Sequence, residues 1–177
     1  REDDRFLCTI DEFRRWLAGR RQPRMEHFYR EMRRRHGILL DADGGPVGGR
    51  WNFDADNREP LPAEIAPPEP FRVEPDRITR EVLDLVRRHF GDRFGTVDGF
   101  DWPVTRDDAL RALSHFVDRA LPDFGRFQDA MRAGEPLLFH SRLSPLLNMG
   151  LLGPREVIDA ALAAFAAGRA PLASVEG

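Results

Sequence analysis

A short turn rich in hydroxyl groups lies at residues 140–147, His-Ser-Arg-Leu-Ser-Pro-Leu-Leu. Ser144 followed by Pro145 is typical of a helix start, with serine as the N-cap and proline in the first turn. The hydroxyl of Ser141 and the charge of Arg142 precede that start. Hydroxyls, free amides and the positive end of a helix dipole together favour an anion such as a pyrophosphate.

A purely structural interpretation of the same turn is available. Ser144 would then cap its helix without binding a ligand, and Leu143, Leu146 and Leu147 would be core residues. In the binding interpretation, by contrast, the amides of Leu146 and Leu147 point out of the helix start toward the anion. From the residues alone the structural interpretation is favoured, because serine caps are common and few of them bind anything.

A second stretch, residues 48–58, has the sequence Gly-Gly-Arg-Trp-Asn-Phe-Asp-Ala-Asp-Asn-Arg. Oxygen-bearing side chains beside Trp51 could suit a hard cation or a carbohydrate. An ordered loop is favoured instead, in which the carboxylates pair with Arg50 or Arg58. The side chains concerned are Asp54, Asp56 and Asn57.

A basic cluster lies at the end of the second predicted helix. It consists of Arg30, Arg33, Arg34, Arg35 and His36. DNA contact is one interpretation of this cluster, and a solvated helix face at the negative end of the dipole is the favoured one.

The cysteine and the histidines give no further site. Cys8 is the single cysteine, which excludes an internal disulfide and predicts a small buried apolar residue. The histidines are scattered and predict neither a metal site nor a catalytic triad.

The composition, 41% apolar and 32% charged, predicts a soluble globular protein. All 27 basic residues are arginine, and the net charge of −3 does not indicate nucleic-acid binding. No signal peptide and no apolar run of membrane-spanning length is present, so we expect a cytoplasmic protein with no membrane partner. The missing initiator Met and a fresh segment at 172–176 lead us to expect an internal fragment of a longer chain.

Periodicity and capping patterns predict a mostly α protein, with Thr9 and Glu12 as a capping box and Gly37 as a helix end. The proline-rich stretch 60–75, with six prolines, predicts an extended connection between two folding units. Trp102, Phe94 and Phe100 are expected to anchor a glycine-rich loop. The pattern predicts helices at 9–19, 24–36, 78–90, 105–121, 123–132 and 154–168, and a short strand at 38–40.

At this point the sequence resembles a known family. Residues 140–147, continuing into 150–157, resemble the flavin-phosphate segment of photolyases and cryptochromes, usually Thr-Ser-x-Leu-Ser-Pro-x-Leu. Residues 28–33, 48–58 and 134–140 resemble the photolyase-related bacterial branch, which contains the iron–sulfur (6-4) photolyases. The resemblance spans essentially the whole chain.

The resemblance implies an architecture and a set of cofactors. Residues 1–59 would be the tail of an α/β antenna domain, residues 60–75 a linker, and residues 76–177 the beginning of an all-helical FAD-binding domain. FAD would be the cofactor, and a 4Fe-4S cluster and a lumazine-type antenna pigment would have their ligands outside this chain. Damaged DNA would be the partner.

Carried over position by position, the resemblance implies a set of cofactor-binding residues. His140 stands where the family usually has Thr, and Phe127 stands near a position where many relatives have a Tyr contact. The catalytic histidine and the cluster ligands are expected outside the chain. The implied flavin contacts are His140, Ser141, Arg142, Leu143, Ser144 and Phe127.

The resulting hypothesis is a fragment of a light-driven DNA repair lyase. Excited reduced FAD would donate an electron to a pyrimidine (6-4) photoproduct flipped out of the duplex, and the fragment alone would be inactive. Two alternatives stay open: a cryptochrome-type flavin photoreceptor without repair activity, and a non-enzymatic helical interaction module.

Overall fold

The structure is a computed structural model, and it describes residues 5–177. The described part consists of α-helices joined by turns and extended segments, with no strand, and this confirms the mostly α prediction. The helices are α1 Ile10–Leu17, α2 Met25–His36, α3 Arg77–Phe90, α4 Arg106–Arg119, α5 Leu121–Phe127, α6 Ser144–Asn148, α7 Pro154–Ala166 and α8 Leu172–Glu176, with 3-10 turns at Val47–Gly49 and Asp54–Asp56.

Local capping chemistry explains where the first helices begin and end. Thr9 caps α1 by accepting from the Glu12 amide, and the Glu12 carboxylate accepts from the Thr9 backbone amide, so the expected capping box is confirmed. The same contact lowers the pKa of the Glu12 carboxyl, because the amide stabilises the charged form. Gly37 ends α2 in the left-handed conformation, as predicted.

The main core lies between α4 and α7, with α6 and the turn after it closing one end. Leu113, Leu146 and Leu152 are buried there and belong to one apolar cluster. Burying a leucine side chain contributes about 1.5–3 kcal/mol relative to an exposed one. At the rim Arg106 donates to Glu156 at 2.7 Å, which lowers the pKa of that carboxyl and ties the two helices together.

Helix α8 packs against α5 at very short range. Gly125 is buried, and its amide donates to the Ser174 hydroxyl at 2.9 Å. A Cβ atom at Gly125 would lie 2.8 Å from the Ser174 amide nitrogen and 2.9 Å from the Asn57 side-chain oxygen. Only glycine therefore permits this approach.

Polar contacts to α8 attach the amino-terminal part to the helical core. The Tyr29 hydroxyl donates to Glu176 at 2.7 Å, and the Phe53 amide donates to its other carboxylate oxygen at 2.9 Å. The Asn57 side chain donates to the Ala173 carbonyl oxygen at 3.1 Å. Burial and the neighbouring carboxylate raise the pKa of Tyr29 to about 12.

The proline-rich stretch is extended, as predicted, and it lies on the helical core. Arg132 donates to the carbonyl oxygen of Ile65 at 2.9 Å and also to that of Pro62. Arg126 holds Glu59 at 2.8 Å at the start of the stretch. These two arginines therefore fasten the first part of the segment, up to Ile65, to the helical core.

Helix α3 exposes its apolar stripe. The side chains of Ile78 and Val82 are 61% and 53% exposed, and Leu85 and Phe90 are similarly open. Asp76 caps the helix by accepting from the Thr79 amide. The helix predicted at 78–90 is confirmed, and its stripe faces solvent in this chain.

Several expectations from sequence are wrong. In place of the strand at 38–40 there is one isolated bridge between Leu40 and Pro46, because the turn at 41–45 brings only that pair into register. Helix α5 ends at Phe127 rather than at 132. The Cys8 side chain is partly exposed, and Phe94 is fully exposed rather than part of an anchor.

The described residues contain no helix long and apolar enough to cross a membrane.

Candidate functional site

The turn at residues 140–144 is held by its own backbone and by Ser141. The His140 amide donates to the Leu137 carbonyl oxygen at 3.0 Å, and the Ser141 hydroxyl accepts from the Leu143 amide at 3.3 Å. Arg142 has a φ of 56°, in the left-handed region that disfavours residues with a side chain. The left-handed backbone of Arg142 therefore needs contacts from outside the turn to stabilise it.

The start of α6 differs from the sequence prediction. Helix α6 begins at Ser144, which puts Leu143 at the N-cap position, and no side chain caps the helix. The φ of −84° and ψ of −15° of Leu143 are already helical. The Leu147 amide donates to the Leu143 carbonyl oxygen at 3.0 Å. Ser144 is therefore not the cap, and of the two amides expected to be free only that of Leu146 has no hydrogen bond among the described residues.

Arg142 is occupied by three partners behind the turn. Its guanidinium donates to Asp101 at 3.0 Å and to the Phe71 carbonyl oxygen at 3.4 Å, and it lies 3.9 Å from the centre of the Trp102 ring. The side chains of Arg142 and Asp101 are only 16% and 19% exposed. Arg142 is thus paired within the protein and is not the free counter-charge that the sequence suggested.

The other residues of the set divide into exposed and buried members. His140 and Ser144 are exposed, and Ser141 is half-buried. Leu143 and Phe127 are buried in the core, where the Phe127 ring lies tilted against that of Phe139 with 5.2 Å between ring centres. The turn brings the first three together at the surface, whereas the last two can support it only from below.

Two hollows border the turn, and Ser141 lines both. The smaller one, about 40 Å³, lies between the turn and a wall that includes Trp102 and His115. The larger one, about 410 Å³, is mostly apolar and lies between α2 and α7. A dinucleotide cofactor needs several hundred cubic ångströms, so the small hollow cannot enclose one.

The donor chemistry of the exposed side nevertheless fits a phosphate. Ser141 and Ser144 supply hydroxyls, and the amide of the exposed Ser144 makes no hydrogen bond within residues 5–177. The Leu146 amide is also unpaired there, but Leu146 is buried and does not belong to the exposed side. Hydroxyls and unpaired amides are ordinary phosphate donors. The turn therefore fits one wall of a phosphate site and leaves the remaining walls to other parts of a protein.

The sequence did not identify the residues that hold the turn in place. Asp101 lies 41 positions before Arg142, and no local pattern joins them. The only available signal was Trp102, which was assigned to a loop anchor. Its ring in fact covers the Arg142 guanidinium.

The tryptophan of the second stretch is a structural centre. Arg33 is buried and donates to the carbonyl oxygens of Leu39 at 2.7 Å, Ile38 at 3.2 Å and Trp51 at 3.3 Å. The guanidiniums of Arg33 and Arg34 lie 4.9 and 4.6 Å from the centre of the Trp51 ring. The solvated-face interpretation is therefore wrong for Arg33.

Residues 48–58, the acidic loop, form an ordered loop with paired carboxylates, so the interpretation favoured from the sequence is confirmed. Arg50 pairs with Asp56, and the Asn52 side chain accepts from the Asp54 amide at 2.8 Å. These contacts order the loop ahead of the proline-rich stretch.

The fold and the turn place the protein in the broad class of helical proteins with an exposed phosphate-type turn. Comparison with known sequences narrows this class. The sequence model of the family described as deoxyribodipyrimidine photo-lyase-related protein matches residues 1–102. The chain therefore belongs to this family, and the resemblance seen in the sequence is confirmed.

A curated relative extends the match to the turn. The chain is 51% identical over 177 residues to the (6-4) photolyase of Agrobacterium fabrum. The alignment covers the whole chain and 35% of that protein. The chain thus spans about a third of the length of this relative.

Proposed function

We propose that this chain is part of a light-driven lyase that repairs pyrimidine (6-4) photoproducts in DNA by electron transfer from FAD. The observation that carries the proposal is the 51% identity along all 177 residues to a protein named (6-4) photolyase. Because its substrate would be chromosomal DNA, the proposal includes a cytoplasmic location.

In this proposal the turn forms part of the flavin site. Ser141 and Ser144 would donate hydroxyl hydrogen bonds to the pyrophosphate, and the exposed His140 would flank it. Leu143 and Phe127 would support the turn from the core, where both are buried. Bound FAD would supply the light-driven electron, and the chain's own share is to bind and orient it.

Other parts of the activity are assigned to sequence outside this chain. The proposal includes a 4Fe-4S cluster and a lumazine-type antenna pigment, both with ligands elsewhere. Residue 8 is the single cysteine here, whereas such a cluster requires four thiolates. The damaged DNA would likewise be bound mainly by the remainder of the protein.

The test uses a longer protein that contains this chain and has the full length of the (6-4) photolyase relative. We expect the purified protein to absorb in the blue through bound flavin and to remove (6-4) lesions from an oligonucleotide under illumination. A dark incubation controls for nuclease activity, and an undamaged oligonucleotide controls for non-specific loss.

Two results would contradict the proposal. A flavin-containing protein that leaves the lesion intact in the light would support the cryptochrome-type photoreceptor. A colourless protein that binds no added flavin would support the helical interaction module.

A further inference from the structure

Arg142 is the residue of the turn with the most unusual surroundings. Its backbone is left-handed, yet its side chain is largely buried and turned toward the interior. A residue with a side chain adopts this conformation only where neighbouring groups over-determine it. The groups in contact with Arg142 therefore decide whether the turn holds its shape.

Asp101 divides its two carboxylate oxygens between two arginines. One oxygen accepts from Arg142 at 3.0 Å, and the other accepts from Arg72 at 2.8 Å. The side chain of Arg72 is 63% exposed, whereas that of Arg142 is 16% exposed. The Arg142 contact is the shielded one, so it is less weakened by solvent than the Arg72 contact.

Backbone contacts fix Asp101 itself. Its carbonyl oxygen accepts from the Val73 amide at 2.9 Å, and Arg142 reaches the Phe71 carbonyl oxygen at 3.4 Å. The Trp102 ring then stacks on the guanidinium at 3.9 Å. Arg142 is thus held by the Asp101 carboxylate, the Phe71 carbonyl oxygen and the Trp102 ring. These groups lie on two extended segments, which the hydrogen bond between Val73 and Asp101 joins.

Resting on the proposed function, we propose that Asp101 and Trp102 are positioning residues for flavin binding, which act by holding Arg142 and with it the turn 141–147. Arg142 then contributes through Asp101 rather than by contacting the pyrophosphate. This departs from the role that the family resemblance implied for Arg142.

A direct contact of Arg142 with the ligand is the competing explanation. Its Nε atom is buried and has no partner among the described residues, so one donor is still available. The two explanations predict different results when Asp101 and Arg142 are replaced separately and together.

The experiment uses the full-length protein and four variants: Asp101→Asn, Arg142→Gln, the double variant, and Arg72→Gln as the matched control. Flavin affinity is measured by titrating FAD into flavin-free protein. We expect Asp101→Asn and Arg142→Gln to weaken binding by a similar factor of about ten, the loss of one charge-assisted hydrogen bond. The double variant should be no weaker than either single variant, and Arg72→Gln should bind like the unaltered protein.

Hydrogen exchange of the flavin-free protein provides a readout that does not depend on cofactor binding. Asp101→Asn should accelerate exchange of the amides in 141–147 and leave those of α4 unchanged, while Arg72→Gln should change neither. If Asp101→Asn does not fold, Asp101→Glu, which keeps the charge, is compared with Arg142→Lys, which loses the planar fork. Exchange in 141–147 should then be faster in Arg142→Lys.

Each remaining outcome is decisive. A loss of affinity much larger in Arg142→Gln than in Asp101→Asn, with a strong dependence on salt, would overturn the proposal in favour of direct contact. Unchanged exchange in 141–147 would also overturn it. If the unaltered protein binds no flavin, the proposed function fails, and the exchange rates alone then support or overturn the role of Asp101 in holding the turn.

Discussion

At the scale of single residues, Tyr29 is the clearest reporter of how the amino-terminal part attaches to α8. It is the sole tyrosine of the chain, and its hydroxyl donates to Glu176. We expect Tyr29→Phe to lower the free energy of unfolding at pH 7 by about 1.5–3 kcal/mol, the value of a hydrogen bond to a charged group. Urea unfolding of the 177-residue chain measures this loss.

The pH dependence of that loss follows from the raised pKa. The folded pKa of Tyr29 is about 12 against an ordinary value of 10.0, so its stabilising contribution is present below pH 10 and disappears as the pH rises toward 12. The difference between the two proteins should therefore narrow above pH 10. The titration of Tyr29 can be followed by the absorbance of its phenolate. A titration midpoint near pH 10 in the folded chain would contradict the raised pKa.

Arg33 and Arg34 are neighbours with contrasting roles. Both lie over Trp51, but only Arg33 is buried and donates to backbone carbonyls. Arg33→Met would leave the carbonyl oxygens of Ile38 and Trp51 without a donor, while that of Leu39 keeps the Val47 amide. We expect a loss of about 2–4 kcal/mol. Arg34→Met should cost less than about 1 kcal/mol, the value of an exposed cation–π contact. Equal thermal shifts for the two variants would contradict this difference.

At the scale of elements, the contact between α5 and α8 depends on the absence of one side chain. Gly125→Ala would place a Cβ atom 2.8 Å from the backbone of Ser174, so α8 must shift. We expect a loss of about 1–3 kcal/mol, as for an overpacked core. Gly153→Ala is the control without a close contact, since no atom lies within 4 Å of its Cβ; its loss should be about 0.5–1 kcal/mol, because alanine is a poorer N-cap than glycine. Comparable unfolding midpoints for Gly125→Ala and the unaltered chain would rule out this tight contact.

The elements that could be predicted from sequence are those governed by neighbouring residues. Thr9 and Glu12 lie three positions apart, so their capping box fixed the start of α1 correctly. The start of α6 was missed by one residue because Leu143 already has helical torsion angles, which a serine–proline pair does not reveal. Arg142 with Asp101 and Tyr29 with Glu176 are 41 and 147 positions apart. Such pairs depend on the packing of whole helices, so no local pattern predicts them.

At the scale of the whole molecule, α3 presents a continuous apolar stripe to solvent. Replacing Ile78, Val82 and Leu85 together by Gln should reduce self-association of the 177-residue chain, because exposed apolar patches promote association. Each replacement should change the free energy of unfolding by less than about 0.5 kcal/mol. Sedimentation velocity and urea unfolding measure the two effects.

A core leucine provides the contrast for that experiment. Leu113 is buried between α4 and α7, and Leu113→Ala should cost about 2–5 kcal/mol through the cavity that it leaves. If the triple variant of α3 lost as much stability as Leu113→Ala, the stripe would be packed rather than open.

The arginine forks on the proline-rich stretch have a consequence for how the chain tumbles. Arg132 and Arg126 tie this segment to the core, and Glu176 ties α2 and the acidic loop to α8. In a Trp16→Phe variant, which leaves Trp51 and Trp102 as the two tryptophans, both should therefore report a single rotational correlation time in fluorescence anisotropy decay, as two dyes embedded in one rigid particle would.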